Sequence, residues 1–172
     1  MGLFDRFRNT EKRDESKRYH TSFDRIDYYY EKALSNCEFL LQKKESELTE
    51  EDRREIKRYA GNHIGFFLTW IILHHFEGEI HEDNREALEA VRREEMLGVD
   101  FLIDYCDEKF LGEDVSEEIF PFVSTYYEKY FSEYTNCVMN VLCDLPLEFI
   151  GSWKDYHDFE PILDAAYAQY KK

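Results

Sequence analysis

Residues 63–75 read HIGFFLTWIILHH, an almost unbroken apolar run between one histidine and a histidine pair. A helix that is apolar nearly all round has to be hidden, either in lipid or in a protein core. Crossing a bilayer takes about 20 apolar residues, and here charge returns on both sides of a much shorter run. The stretch is therefore expected to be a buried central helix, with no membrane span. Thr49 followed by Asp52 has the form of an N-terminal capping box, and Glu50 and Glu51 suit the positive end of a helix dipole. These signals place the helix at about 50–76, stopping near Gly78. Gly61 and Gly65 lie inside it, where their small size would let a neighbouring backbone come close.

The rest of the chain is expected to wrap this helix with others. Phe23, Ile26, Tyr30, Leu34, Cys37 and Leu41 recur at three- and four-residue steps, which predicts a helix over 23–47. Ala87, Leu88 and Val91 form a narrow stripe on a helix over 84–96, with Gly98 as its end. A short helix follows, turning at Asp107–Lys109 and closing at Gly112. Asp114 or Ser116 would cap a long helix reaching Leu142, with Pro121 in its first turn, where a missing N–H breaks no bond. Residues 144–153 read as extended or loop, and 158–172 as a last helix with Pro161 early. With 7 Gly and 3 Pro in 172 residues, turn chemistry is sparse. The predicted class is mostly α: one domain of five or six helices over 21–172, preceded by a mobile tail over 1–20. The tail's apolar cluster (Leu3, Phe4, Phe7) reads as a short docking segment, too small for a membrane anchor.

Charge narrows the function classes. The net charge is −16, with 38 acidic and 22 basic side chains. Nucleic-acid binding requires cations to neutralise phosphates, so DNA and RNA are poor partners. A cationic protein is the complementary one, because an acidic surface steers it in. The four cysteines (Cys37, Cys106, Cys137, Cys143) form no CxxC pair. The N-terminus has no long apolar stretch, so reduced thiols in a cytoplasmic protein are expected.

Motifs for chemistry are scarce. No GxSxG, P-loop, GxGxxG or HExxH occurs. His63 and His74 would lie about 16 Å apart along a helix, too far to share an ion. No cofactor or metal is therefore expected. His63 reads as a core histidine bonded to a backbone or carboxylate partner. Asp104, Asp107 and Glu108 form an acidic cluster suited to a solvated helix edge and turn. Tyr126, Tyr127, Tyr130 and Tyr134 form a ladder that is either core or, with Glu128 and Glu133, part of an exposed face. Tyrosine beside acid makes good interface chemistry. The residues expected at a partner surface are Asp104, Asp107, Glu108, Tyr127, Glu128 and Tyr134.

From Tyr59 to the late segment WKDYHDFEPILDAAY, the chain resembles a family of small bacterial proteins with a domain of unknown function. The resemblance rests on Ala60, His63, Ile64, Gly65, Phe67, Leu68 and Trp70, then on Gly98, Asp100, Phe101, Cys106, Asp107 and Lys109, and finally on Tyr126, Tyr127 and Tyr130. His63, Gly65 and Trp70 act as its structural signature. Glu108 stands where the family favours Gly, and the first 58 residues depart from the usual entry. Family members are similar to immunity proteins found beside bacterial polymorphic toxins, and the family carries no settled catalytic activity. The resemblance, the charge and the missing motifs together point to a non-enzymatic protein-binding domain, as in an immunity protein facing a cationic toxin. Two other readings stand beside it: an enzyme or small-ligand protein with a pocket near His63, Trp70 and Asp107, and a structural or oligomeric scaffold.

Overall fold

A computed structural model describes residues 17–142 and 144–172. Leu3, Phe4, Phe7, Cys143 and the side chain of Leu41 lie outside the described residues. The described part is one mostly α domain with six α-helices and one small two-stranded sheet. The helices are α1 (Asp27–Leu41), α2 (Glu50–Leu73), α3 (Arg85–Arg92), α4 (Gly98–Tyr105), α5 (Phe120–Asn140) and α6 (Trp153–Tyr170).

Helix α2 is the centre. Its first turn is closed by the expected capping box: Thr49 Oγ1 accepts from the Asp52 N–H at 3.1 Å, and Asp52 accepts from the Thr49 N–H at 2.8 Å. Lys43 adds two bonds to the same carboxylate, which these donors draw down to a pKa of about 2. Every residue from Ala60 to Ile72 is buried. The helix stops at Leu73, and His75 takes a left-handed backbone (φ 58°) that turns the chain away. Helices α1, α3, α4 and α6 and the strand β1 (Ser22–Arg25) pack around it. No helix among the described residues is long and apolar enough to cross a membrane.

Two glycines set the tightest crossing. A Cβ on Gly65 would stand 2.5 Å from the Val99 amide nitrogen, and one on Gly98 would stand 2.3 Å from the Gly65 carbonyl oxygen. Thr69 fastens this crossing by donating to Gly65 O at 2.8 Å and accepting from the Gly98 N–H at 3.0 Å. Helix α2 thus supplies a side-chain partner for one free amide at the start of α4, a group with no partner inside its own helix. Gly98 opens α4 rather than ending the helix before it. Gly61 differs, since its neighbours are the Ile26 and Leu102 side chains.

Several boundaries depart from the periodicity. Phe23 does not begin a helix; Ser22–Arg25 is a strand that pairs antiparallel with β2 (Lys109–Leu111), with a bulge between Ser22 and Asp24. Strands of four and three residues leave no alternation long enough to read. Residues 17–20 are not wholly a free tail either, because Arg18 is buried, bonds to Val115 O at 3.2 Å and faces Glu117. Helix α5 starts at Phe120 without a side-chain cap, and Pro121 sits in its first turn as expected. Asp114 and Ser116 therefore do not cap α5. Helix α6 begins at a Ser152–Asp155 capping box, so Pro161 falls in its interior instead of near its start. Pro161 is exposed and removes one backbone donor there. Trp70 is fully buried, and its Nε1 donates to Asp164 at 2.9 Å, tying α6 to α2.

Candidate functional site

The acids expected at a partner surface are mostly matched by cations of the same chain. Asp104 on α4 binds Arg54 of α2 with two bonds at 2.7 and 2.8 Å, and Arg54 also reaches Asp100 at 3.0 Å. The Arg54 guanidinium holds the Asp104 carboxyl below its usual range. Glu108 meets Lys57 at 2.5 Å, and Asp107 is bonded to Lys109, which draws its pKa down as well. The Arg54 and Lys57 pairs form a seam between the charged first half of α2 and the α4–β2 segment, while Asp107–Lys109 is local to the turn. Such surface pairs contribute little each, about 0–1 kcal/mol, but they leave little net field for a partner. Asp107 and Glu108 also share a left-handed backbone, φ 51° and 61°. Glycine adopts such a φ most readily, so Asp107 and Glu108 hold this turn at a cost.

Two tyrosines expected at the surface are core residues. Tyr127 is 7% and Tyr134 2% exposed, so neither can be a contact face in this fold. Tyr127 donates to Asp24 at 3.1 Å, while the Tyr134 hydroxyl accepts from Asn62 at 2.8 Å. Burial drives both phenols upward in pKa. Glu128 is exposed on α5.

The signature residue His63 is buried, as the sequence suggests, and its partner is a carboxylate. His63 Nε2 lies 3.1 Å from Asp24 Oδ2. The same oxygen accepts from Tyr127 and, at 3.2 Å, from Tyr29, whose pKa is raised by burial and by Asp24. A short strand thus pins one buried carboxylate against α1, α2 and α5. Such a group is stable only when its lone pairs are satisfied. Asp107 does not join His63 and Trp70 in a pocket. The two core side chains are 1% and 0% exposed, whereas the Asp107 side chain is 86% exposed on a turn.

A second buried histidine was not singled out by sequence reasoning. His81 sits on the 3-10 turn Glu79–Asn84, which packs on another, Gly112–Asp114. The two segments are locked together by Gly78 N–H donating to Asp114 O at 2.9 Å and by a bridge between Glu77 and Val115. A Cβ on Gly78 would stand against the Glu113 carbonyl, so only glycine allows this approach. His81 Nε2 then lies 3.0 Å from Asp114 Oδ1 and 3.9 Å from Cys106 Sγ. All three residues are buried, and their donor atoms lie within 4.8 Å of one another. Burial, with Asp114 beside it, pushes the Cys106 thiol pKa well up. A thiol kept protonated is a poor nucleophile. Nor is the arrangement a nucleophile–base–orienter relay, since sulfur and carboxylate face one and the same ring nitrogen.

The segments that carry His81 and Asp114 also carry exposed acids. Glu79, Glu82, Asp83, Glu86 and Glu118 are exposed and Glu113 half-exposed; among the described residues none of the six forms a salt bridge, and Glu86 lies in the field of Arg93. A cavity of about 400 Å³ opens beside α3, with Glu77, Glu79, Glu82, Glu89 and His81 in its wall together with Arg85 and Arg92. The three residues of the buried cluster are spread over three segments, so no spacing motif announces them.

No curated protein and no solved structure matches the chain. A family model does match, over residues 22–147. The matched stretch begins at β1, earlier than the resemblance from Tyr59 suggests, and ends before α6. It contains both buried histidine–aspartate pairs, and on this match the chain belongs to the family described as Domain of unknown function (DUF7832).

Proposed function

We propose that this chain is a non-enzymatic, cytoplasmic protein-binding domain that captures a cationic protein on its acidic ridge, in the manner of an immunity protein covering a toxin. One observation carries the reading: Glu79, Glu82, Asp83, Glu86, Glu113 and Glu118 stand on the segments 79–86 and 113–118, joined through their 3-10 turns, and none of the six forms a salt bridge among the described residues. Unpaired carboxylates on a ridge build a field that steers a basic surface and sets its register. Glu117 borders the ridge and is partly matched by Arg18. The exposed Ile80, 53% accessible in the middle of the ridge, supplies an apolar contact that water would leave on docking. Asp104, Asp107 and Glu108 are a weaker choice for the same role, because Arg54, Lys109 and Lys57 already hold them.

The test is capture from cells of the native host by tagged full-length chain, with and without the reversals Glu79→Lys, Glu82→Lys, Asp83→Lys and Glu86→Lys. The protein captured is then identified, purified and titrated against both forms. The expected result is a basic protein whose affinity falls at least about tenfold on reversal and also falls with added salt. If it is a toxin, wild-type chain should restore growth to cells expressing it. Equal affinity for both forms, insensitive to salt, would remove the ridge from the reading.

A further inference from the structure

We propose that His81, Cys106 and Asp114 form a binding site for a thiophilic divalent cation of the zinc type. The inference goes beyond partner capture and does not rest on it.

The donor set is the first argument. Imidazole nitrogen, thiolate sulfur and carboxylate oxygen are the three side-chain ligands that zinc takes. Their spacing suits one ion. Zinc bonds of about 2.0–2.3 Å in a tetrahedron put neighbouring donors roughly 3.3–3.8 Å apart. Here Nε2 is 3.0 Å from the carboxylate oxygen and 3.9 Å from sulfur, and the whole set spans no more than 4.8 Å. Loading the ion replaces the imidazole–carboxylate hydrogen bond and displaces the thiol proton to solvent.

Convergence is the second argument. A catalytic relay would use the two ring nitrogens of His81 for different partners. Instead both neighbours meet Nε2, and Nδ1 faces the Asn84 side-chain amide at 3.5 Å. Asn84 Nδ2 is a donor, whereas an imidazole that binds an ion through Nε2 carries its proton on Nδ1; loading therefore moves the ring proton to Nδ1 and requires the Asn84 amide to turn its oxygen toward the ring. The second Asp114 oxygen is likewise occupied, by the Leu111 N–H. His81 and Asp114 thus each have a second contact, leaving one donor atom to face the cluster, and Cys106 offers its single sulfur.

Charge balance is the third. A divalent ion with one thiolate, one carboxylate and one neutral imidazole makes a neutral unit, the form in which a buried charge is tolerable. Access is the fourth. His81 lies in the wall of a cavity that Glu77, Glu79, Glu82 and Glu89 line together with Arg85 and Arg92; Glu77 and Glu89 hold Arg92, and the carboxylates outnumber the guanidiniums, a balance that favours a cation. Glu77 holds Arg92 with one oxygen, while its Oε2 is buried without a hydrogen-bond partner. Three protein donors leave a fourth position, for water or for this carboxylate from the same wall.

The experiment uses full-length chain stripped with chelator and titrated with Zn²⁺ against a chromophoric competitor, then with Co²⁺ as an optical probe. The expected result is one equivalent of zinc. Its Co²⁺ form should show tetrahedral d–d bands and a sulfur-to-cobalt charge-transfer band. Cys106→Ser should lose that band and weaken zinc binding by more than about 100-fold, since even outer-shell changes cost 10–100-fold. Cys37→Ser, which alters a buried thiol elsewhere, should keep both. Asp114→Asn provides a second ligand variant if Cys106→Ser fails to fold. Two results would overturn the site: a wild-type Co²⁺ spectrum without the charge-transfer band, or equal zinc affinity in wild type and a folded ligand variant. No partner protein enters either measurement, so failure here leaves the capture reading standing, and the reverse also holds.

Discussion

Replacing Gly65 by Ala should cost this protein far more than the same change at Gly61, although both glycines sit on one face of one helix. At position 65 the new methyl would stand 2.5, 2.6 and 2.7 Å from Val99 N, Cβ and Cα. Two of these atoms are backbone, so relief requires α4 to move away by about 1 Å to reach ordinary contact. Overpacking of this kind costs about 1–3 kcal/mol, and backbone against backbone belongs at the upper end. The shift would also stretch the Thr69–Gly98 hydrogen bond, worth about 1 kcal/mol. Alanine returns about 1 kcal/mol of helix propensity over glycine. The net is a destabilisation of about 3 kcal/mol. At position 61 the closest atoms are Ile26 Cδ1 and Cγ1 at 2.8 and 2.9 Å, side-chain atoms that can rotate aside. There the strain and the propensity gain nearly cancel, and the change should stay within about 1 kcal/mol of zero. Urea unfolding followed by circular dichroism and tryptophan fluorescence measures both. For a domain of this size, about 3 kcal/mol lowers Tm by roughly 6–12 °C. Equal stability of the two variants would show that the α2–α4 crossing yields freely, and the account of Gly65 would fail.

Two further outcomes are expected. Asp24→Ala removes the acceptor shared by His63, Tyr127 and Tyr29 and should cost about 3–5 kcal/mol, whereas Tyr127→Phe, which deletes one donor, should cost about 1 kcal/mol in the same urea titration. His157 has its pKa raised by Glu160 and Glu94, so its contribution is complete below about pH 6.5 and fades as pH rises through the higher folded value. The side chain is 44% exposed, and solvent screening keeps the effect under about 1 kcal/mol. The difference in Tm between wild type and His157→Gln should shrink from pH 6 to pH 8; a difference constant with pH would exclude the ion pairs as its source.

The elements most legible in the sequence are those whose signals repeat. The apolar run through Trp70 and the Thr49–Asp52 box involve many residues or a strict local spacing, and both appear as expected. The His63 environment was half legible. Burial and the need for a partner follow from its position on an apolar helix, but the partner is Asp24, in a strand too short to have a pattern. The misread tyrosines show a limit of helical phase. Tyr126, Tyr127, Tyr130 and Tyr134 cover a wide arc of α5, and only the aromatic packing of Phe67 and Phe159 against it reveals that the whole arc is buried. His81, Cys106 and Asp114 were invisible for another reason. Histidine and aspartate are separated by 33 residues, and both sit on 3-10 turns. The glycine at position 78, read only as a helix stop, is the residue that lets those turns touch.

The separate contacts of Arg18 and Asp24, both upstream of the first helix, have a practical meaning for anyone trimming this molecule. A fragment starting at the first helix would appear to retain the entire helical bundle. It would nonetheless strip an imidazole and two phenols of their common acceptor and take away the guanidinium that reaches Val115 from outside. A fragment meant to fold on its own should therefore keep Arg18 and the strand Ser22–Arg25 ahead of the first helix.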